Sequence, residues 1–202
     1  MTTKIPWNKG KTIGAKPPLT PEQTNLVRLL LANSGNLRNS TLFSLAVDTA
    51  FRGVDLVKLK VSDVMLSSEV LETIRIRQQK TGNPVSAYLT DETRALLKRY
   101  IEETDKNFND YLFTREKGDK KSHITSHRYR ELLNGFLQKA GLPPEKYGTH
   151  SLRRTKTSYI YKKTGNLRAC QKILGHKSIQ NTANYLGIEE AEALSLAKEF
   201  KI

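Results

Sequence analysis

The chain has 202 residues, with 34 Lys and Arg against 20 Asp and Glu, a formal charge of +14 and a single cysteine. A hydrophobic fraction of 37% and a mean hydropathy of −0.55 suit one globular domain that buries its own core. They exclude an integral membrane protein, since no apolar run approaches the ~18 residues of a spanning helix.

The opening MTTKIPWNKGKTIG is too polar for a signal peptide. Cys170 alone cannot form an internal disulfide or a zinc site built on two or more thiolates, and it points to a reducing, cytoplasmic setting. The charge excess favours a polyanionic partner, nucleic acid before an anionic membrane, without specifying an activity.

Residues 1–21 hold Lys4, Lys9, Lys11 and Lys16, several Gly and Pro, and no acidic residue. That composition reads as a basic flexible arm or as a solvated tail. Order is expected from Thr20, whose hydroxyl can cap a helix with Pro21 at its first position. Leu26, Leu29 and Leu30 give that helix an apolar face, and Gly35 closes it. A second helix is expected over 39–49, interrupted by Arg52-Gly53, and a short one over 54–61.

At 73–77 the period changes to two: Thr-Ile-Arg-Ile-Arg alternates as a half-buried strand. The turn Thr81-Gly82-Asn83-Pro84 returns the chain over 85–89, and 61–66 is read as a third strand. Helical patterns follow at 91–101, 125–140, 151–163, 167–174 and 179–186, with a last amphipathic stretch at 189–200. The fold class is α+β, mainly α: a helical bundle with a small three-stranded antiparallel β-sheet.

Two segments carry chemistry. In Thr149-His150-Ser151-Leu152-Arg153-Arg154, His150 and Arg153 stand three apart and share a helix face. Leu174-Gly175-His176 follows, with Tyr185 nine residues further on. Singly, each residue has an ordinary structural explanation. Together they meet the needs of attack on a phosphodiester: a phenolic nucleophile, planar guanidinium forks for the non-bridging oxygens, and a lysine or histidine to protonate the leaving hydroxyl. Enough fixed cations would make a metal unnecessary.

The set resembles the catalytic domain of the tyrosine recombinases, the phage-integrase family. Phe51-Arg52-Gly53-Val54-Asp55-Leu56, continuing to Leu59 and Asp63, is similar to the family's Arg-x-x-Glu-Leu-x-x-Leu-x-x-x-Asp pattern, with Asp55 where Glu is commoner. Lys80-Thr81-Gly82 resembles its β-hairpin lysine, His150-Ser151-Leu152-Arg153 its His-x-Leu-Arg box, and Leu174-Gly175-His176, Thr182 and Tyr185 its closing block. The resemblance implies that Arg52 and Arg153 hold the scissile phosphate, Lys80 is the general acid, His150 assists proton transfer, His176 binds a phosphate oxygen and Tyr185 forms a 3′-phosphotyrosyl link to DNA. Asp55 is a supporting residue that orients its neighbours. No cofactor or metal is implied.

The family expectation divides the chain into a basic arm (1–21) and a catalytic domain (22–202), without the helical core-binding domain that full-sized members carry, as in the fimbrial phase-variation recombinases. Residues 189–202 would be a C-terminal helix that docks on its own domain or is mobile in the free monomer and docks on a neighbouring protomer on paired sites. The implied partner is double-stranded DNA with inverted-repeat sites, bound by a homo-tetramer on paired sites that is monomeric when free, with accessory DNA-bending proteins as possible helpers and no membrane. The setting is a prokaryotic cytoplasm, at the nucleoid, for a chain of phage or mobile-element origin. Further phosphate contacts are expected from Lys9, Lys11, Lys16, Lys120, Lys121, Arg128, Arg130 and Arg154. His123 and His127 stand i, i+4 but lack a third metal ligand in register. Two other readings remain at this level: a non-catalytic DNA-binding regulator on the same fold, and a type IB topoisomerase or telomere resolvase.

Overall fold

The structure, a computed structural model, describes residues 16–115, 121–188, 194 and 197–200. Helix α1 (Pro21–Asn33) starts where its capping chemistry dictates. The Thr20 hydroxyl accepts from the Gln23 amide (3.2 Å) while the Gln23 side chain accepts from the Thr20 amide (3.0 Å), a reciprocal cap with Pro21 in the first turn.

Helix α2 (Leu37–Thr49) is the central rod, buried at every position from Ser40 to Thr49 and packed against α1, α5, α7 and β4. Its hydroxyl residues survive burial by bonding back to their own helix. Thr41 donates to the Leu37 carbonyl (2.8 Å) and Thr49 to that of Leu45 (2.7 Å). Ala50 ends the helix in the left-handed region (φ 50°), so Phe51 turns into the core and Arg52 emerges at the surface of the site.

The sheet differs from expectation. Residues 61–66 are not one strand: α4 (Val61–Val64) is a helical turn, and only β1 (Met65–Leu66) is extended, pairing antiparallel with β2 (Glu69–Val70). The Asp63 carboxylate accepts from the Lys60 amide (2.8 Å) and caps that turn, which an apolar count over Val61 and Val64 could not register. Strands β3 (Thr73–Arg77) and β4 (Pro84–Tyr88) form the expected hairpin, in register from Thr73 opposite Tyr88 to Arg77 opposite Pro84. Two separate two-stranded ladders therefore replace a single three-stranded sheet. The helix expected over 54–61 is shorter, α3 (Gly53–Leu56).

Helices α5 (Asp91–Glu103), α6 (Ser126–Lys139), α7 (Thr149–Thr164), α8 (Leu167–Leu174) and α9 (Ile179–Leu186) complete the bundle. Among the described residues no helix is long and apolar enough to cross a membrane. Part of the stretch read as an arm is built into the fold. Leu19 is buried, its amide donating to Thr155 (3.2 Å), and the Lys16 ammonium donates to the Tyr147 carbonyl (2.6 Å).

A polar knot holds the hairpin to the helices. The buried carboxylate of Asp48, near the end of α2, accepts from Arg28 (3.1 Å) and from the amide and hydroxyl of Thr90 (2.9 and 2.8 Å), the N-cap of α5. Beside it the Lys156 ammonium donates to the carbonyls of Asp48 (2.9 Å) and Tyr88 (3.2 Å), tying α7 to α2 and to the end of β4. Asp48→Ala would leave Arg28 and the Thr90 amide and hydroxyl without their carboxylate, and it should cost about 2–4 kcal/mol of unfolding free energy in chemical denaturation. A loss below about 1 kcal/mol would mean that the knot contributes no more than an exposed ion pair.

Candidate active site

The elements bring five of the six residues read as catalytic to one face of the molecule, and place Lys80 on the hairpin turn at its edge. Arg52 is the N-cap residue of α3, His150 and Arg153 lie on the first turns of α7, His176 lies in the α8–α9 connection, and Tyr185 lies on α9. Arg52, Lys80 and His150 line one cleft of about 460 Å³, together with His127, Tyr129 and Arg130. Gly53 allows this closeness: a Cβ there would stand 3.3 Å from the buried ring of Tyr129.

Arg153 is the centre of the charge. It is 2% exposed, and its Nη2 donates to the Leu174 carbonyl at 2.6 Å. Its Nη1 is buried and finds no hydrogen-bond partner among the described residues. Burial lowers its pKa to about 10, with Arg52 adding repulsion while Tyr185 and Asp55 pull the other way. Asp55 is itself buried. One carboxylate oxygen accepts from the Gln79 amide (2.8 Å), fixing the turn that carries Lys80, and the other has no partner among the described residues.

Tyr185 is held on three sides. Its hydroxyl lies 3.5 Å from His150 Nδ1 and donates to the His150 carbonyl at 3.4 Å. The His176 ring meets it edge-on at 5.2 Å, and the Arg154 guanidinium lies 4.3 Å over its ring. Burial pushes the Tyr185 phenol up, opposed by the charges of Arg153 and Arg154, a hydrogen bond to Arg153, and the charge of Arg52. The phenol is therefore protonated at rest, beside an imidazole that can take its proton.

Both histidines are driven neutral. Burial first, then the cations Arg153, Arg154, Arg52 and Lys80, hold His150 below the usual imidazole range. Burial, with Arg153 and Arg52, brings His176 down to about 4. His176 Nδ1 lies 3.2 Å from the hydroxyl of Thr182, which is buried one turn before Tyr185.

The residues read as phosphate contacts divide. Arg154 is a correction: it is 9% exposed, donates to the Lys16 carbonyl and covers the Tyr185 ring from behind. Lys16 likewise spends its ammonium on the Tyr147 carbonyl. Arg130 lines the cleft, Lys121 is exposed, and Arg128 is exposed and paired with Glu131 (3.2 Å). Lys9, Lys11 and Lys120 lie outside the described residues, as does most of 189–202. His123 packs on Tyr111 while His127 pairs with Glu131.

Sequence reasoning missed Gln78, which is 1% exposed and sits between the two arginines. Its oxygen accepts from Arg52 Nη1 and from the Thr81 hydroxyl (2.9 Å), and its nitrogen donates to the Leu174 carbonyl (3.0 Å). Gly175 was read as a motif letter, and here its reason is steric. It adopts φ 65°, and a Cβ would fall 2.3 Å from Val85 and about as close as a hydrogen bond to the Gln78 amide (3.0 Å).

The neutral state of His176 links folding to pH. The unfolded chain takes up a proton at its ordinary imidazole value of 6.5, whereas the folded chain does so only near 4. The contribution of His176 is therefore present above 6.5 and lost as pH falls toward 4. Denaturation midpoints of His176→Gln should fall less between pH 7 and pH 5 than those of the native sequence. Equal slopes would place His176 in an ordinary solvated environment.

Residues 19–192 match the model of the phage integrase family. The chain is 28% identical to the probable integrase/recombinase YoeC of Bacillus subtilis, over 92% of this chain and 96% of that one. It is 32% identical to the tyrosine recombinase XerA of Saccharolobus solfataricus, over 73% of this chain but only 45% of that one. It spans 62% of the tyrosine recombinase XerD of Listeria innocua, at 28% identity. Among solved structures, the XerH site-specific recombinase bound to its difH substrate superposes with a TM-score of 0.72 over 92% of this chain and 55% of that one, at 24% identity, which speaks to the fold alone. With that fold, and a family match running from Leu19 across α9, the chain belongs to the phage integrase family of tyrosine recombinases.

Proposed function

We propose that the chain is a site-specific DNA recombinase that cleaves and rejoins strands through a covalent 3′-phosphotyrosyl intermediate. The observation that carries this reading is the meeting of Tyr185, His150 and the buried guanidinium of Arg153, whose Nη1 has no partner among the described residues, at one point. A phosphodiester placed there supplies the acceptor that Arg153 Nη1 lacks, and Arg52 reaches the same phosphate from the cleft. A protein that only gripped DNA would need the arginines but not a phenol set against an imidazole.

The chemistry follows from the protonation states. Tyr185 Oη attacks phosphorus and passes its proton to neutral His150. The P–O5′ bond breaks, and Lys80, on its exposed turn, gives a proton to the departing O5′. His176, whose Nδ1 lies against the Thr182 hydroxyl, would donate to a non-bridging oxygen in the tautomer that carries its proton on Nε2. The 3′-phosphotyrosyl ester keeps the energy of the broken bond, so attack by another 5′-hydroxyl rejoins the strand in a near-balanced exchange. The fixed cations Arg52 and Arg153 supply the charge stabilisation that the pentacoordinate phosphorus requires.

The partner we propose is double-stranded DNA carrying inverted-repeat sites, engaged by a tetramer on paired sites. The family membership and the solved relatives bound to DNA support this reading. Residues 1–15 would track the backbone, and 189–202 would dock on a neighbouring protomer; the apolar spacing of Ala193, Leu196, Ala197 and Phe200 supports the second assignment.

Tyr185→Phe removes only the attacking oxygen. On a nicked suicide substrate it should yield no covalent protein–DNA band while binding DNA within about threefold of the native chain. A surviving band would move the nucleophile elsewhere. Lys80→Ala should slow cleavage by about 10²–10⁴-fold. A substrate with sulfur at the 5′-bridging position should restore the rate, because a thiolate leaves without a proton. A defect equally deep on both substrates would remove Lys80 from the acid role.

A further inference from the structure

The arginines that would hold the phosphate come from elements far apart in sequence, and two like charges cannot set their own spacing. Arg52 and Arg153 repel: each lowers the proton affinity of the surroundings they share, and Arg52 depresses Arg153 itself. Something between them must fix their separation. The described residues offer one buried amide in that position.

Gln78 follows β3 and is fully enclosed, with each end matched to a partner of the required polarity. Its Oε1 can only accept, and it receives Arg52 Nη1 and the Thr81 hydroxyl. Its Nε2 can only donate, and it meets the Leu174 carbonyl at 3.0 Å, the same oxygen that accepts Arg153 Nη2 at 2.6 Å. The chain Arg52–Gln78–Leu174–Arg153 is therefore continuous, and Thr81 ties the turn holding Lys80 to its middle. Close packing leaves the amide little freedom, since the open Cα face of Gly175 stands against it. A side chain of the same length without the amide would fill the space but offer Arg52 no acceptor and the Leu174 carbonyl no second donor.

We propose that Gln78 is a positioning residue that sets the distance between the Arg52 and Arg153 guanidiniums and holds the Lys80 turn in register with them. It does not touch the reacting atoms; it acts through Arg52 and through Thr81. This inference rests on the recombinase reading for its catalytic consequence, whereas the structural claim about Arg52 stands without it.

The test uses the full chain and Gln78→Met, read in two ways. Nitrogen-15 relaxation of the Arg52 Nε–H in the free protein should show a lower order parameter than in the native chain. Cleavage of the suicide substrate should fall by about 10- to 100-fold, the scale of a small misplacement of a catalytic group, with DNA affinity within about threefold. In an Arg52→Ala background the same substitution should cost clearly less than in the native chain, because only its effect through Thr81 and the Lys80 turn is left.

A general loosening of the fold would multiply the two defects instead, and that outcome overturns the proposal. So does an Arg52 signal as ordered in Gln78→Met as in the native chain. Should Gln78→Met not fold, Gln78→Glu keeps the oxygens used by Arg52 and Thr81. Arg52 should then stay ordered, and disorder there would equally overturn the proposal. A native chain that forms no adduct through Tyr185, with Arg52 still loosened by Gln78→Met, would defeat the recombinase reading and leave the positioning role standing.

Discussion

A guanidinium buried to 2% exposure with one nitrogen unmatched is an expensive feature for a fold to keep. Arg153 carries that cost, and the surrounding structure is arranged around it. The Leu174 carbonyl, at the free C-terminal end of α8, takes one nitrogen, where the helix dipole favours a cation. Asp55 offers a buried negative charge without closing a direct ion pair, so the cation is stabilised but not consumed. An ion pair of ordinary geometry would leave Arg153 less able to meet a phosphate.

The same buried charge adds to burial in setting the protonation of its neighbours. Burial first, and then the positive charges of Arg153 and Arg52, keep His150 and His176 neutral. Tyr185 feels the opposite bias: burial disfavours its phenolate, and the arginines favour it. A neutral base beside a protonated but electrostatically assisted phenol is the pairing that proton transfer during attack requires. Arg154, stacked on the Tyr185 ring and anchored to the Lys16 carbonyl, joins the start of the described chain to the position of Tyr185.

The sequence was most legible where local chemistry decides structure. The Thr20–Gln23 cap with Pro21 set the start of α1, and the Asn166 and Ser178 caps with Gly175 and Gly187 bound α8 and α9 at the residues expected. The alternation in 73–77 marked β3 because one face is buried and the other is not. Where tertiary contacts decide, the reading failed. Val61 and Val64 looked like strand residues, but the Asp63 cap made a helical turn. Arg154 looked like a phosphate contact because charge alone does not tell a ring-stacked, buried guanidinium from an exposed one. Gln78, Asp48 and Lys156 carry no local signal, since their partners, Thr81 apart, lie 20 to more than 90 residues away. The catalytic constellation was readable only as ordered motifs, and the links that space its members were not.

The central claim is that Tyr185 Oη becomes covalently bound to a DNA 3′-phosphate at the Arg52–Arg153 clamp. The direct measurement is peptide mapping of the adduct trapped on a suicide substrate, digested with nuclease and trypsin and sequenced by mass spectrometry. The account predicts a residual nucleotide on the peptide 178–198, localised to Tyr185. A nucleotide on the peptide holding Tyr159 and Tyr161, or on a serine, would contradict it.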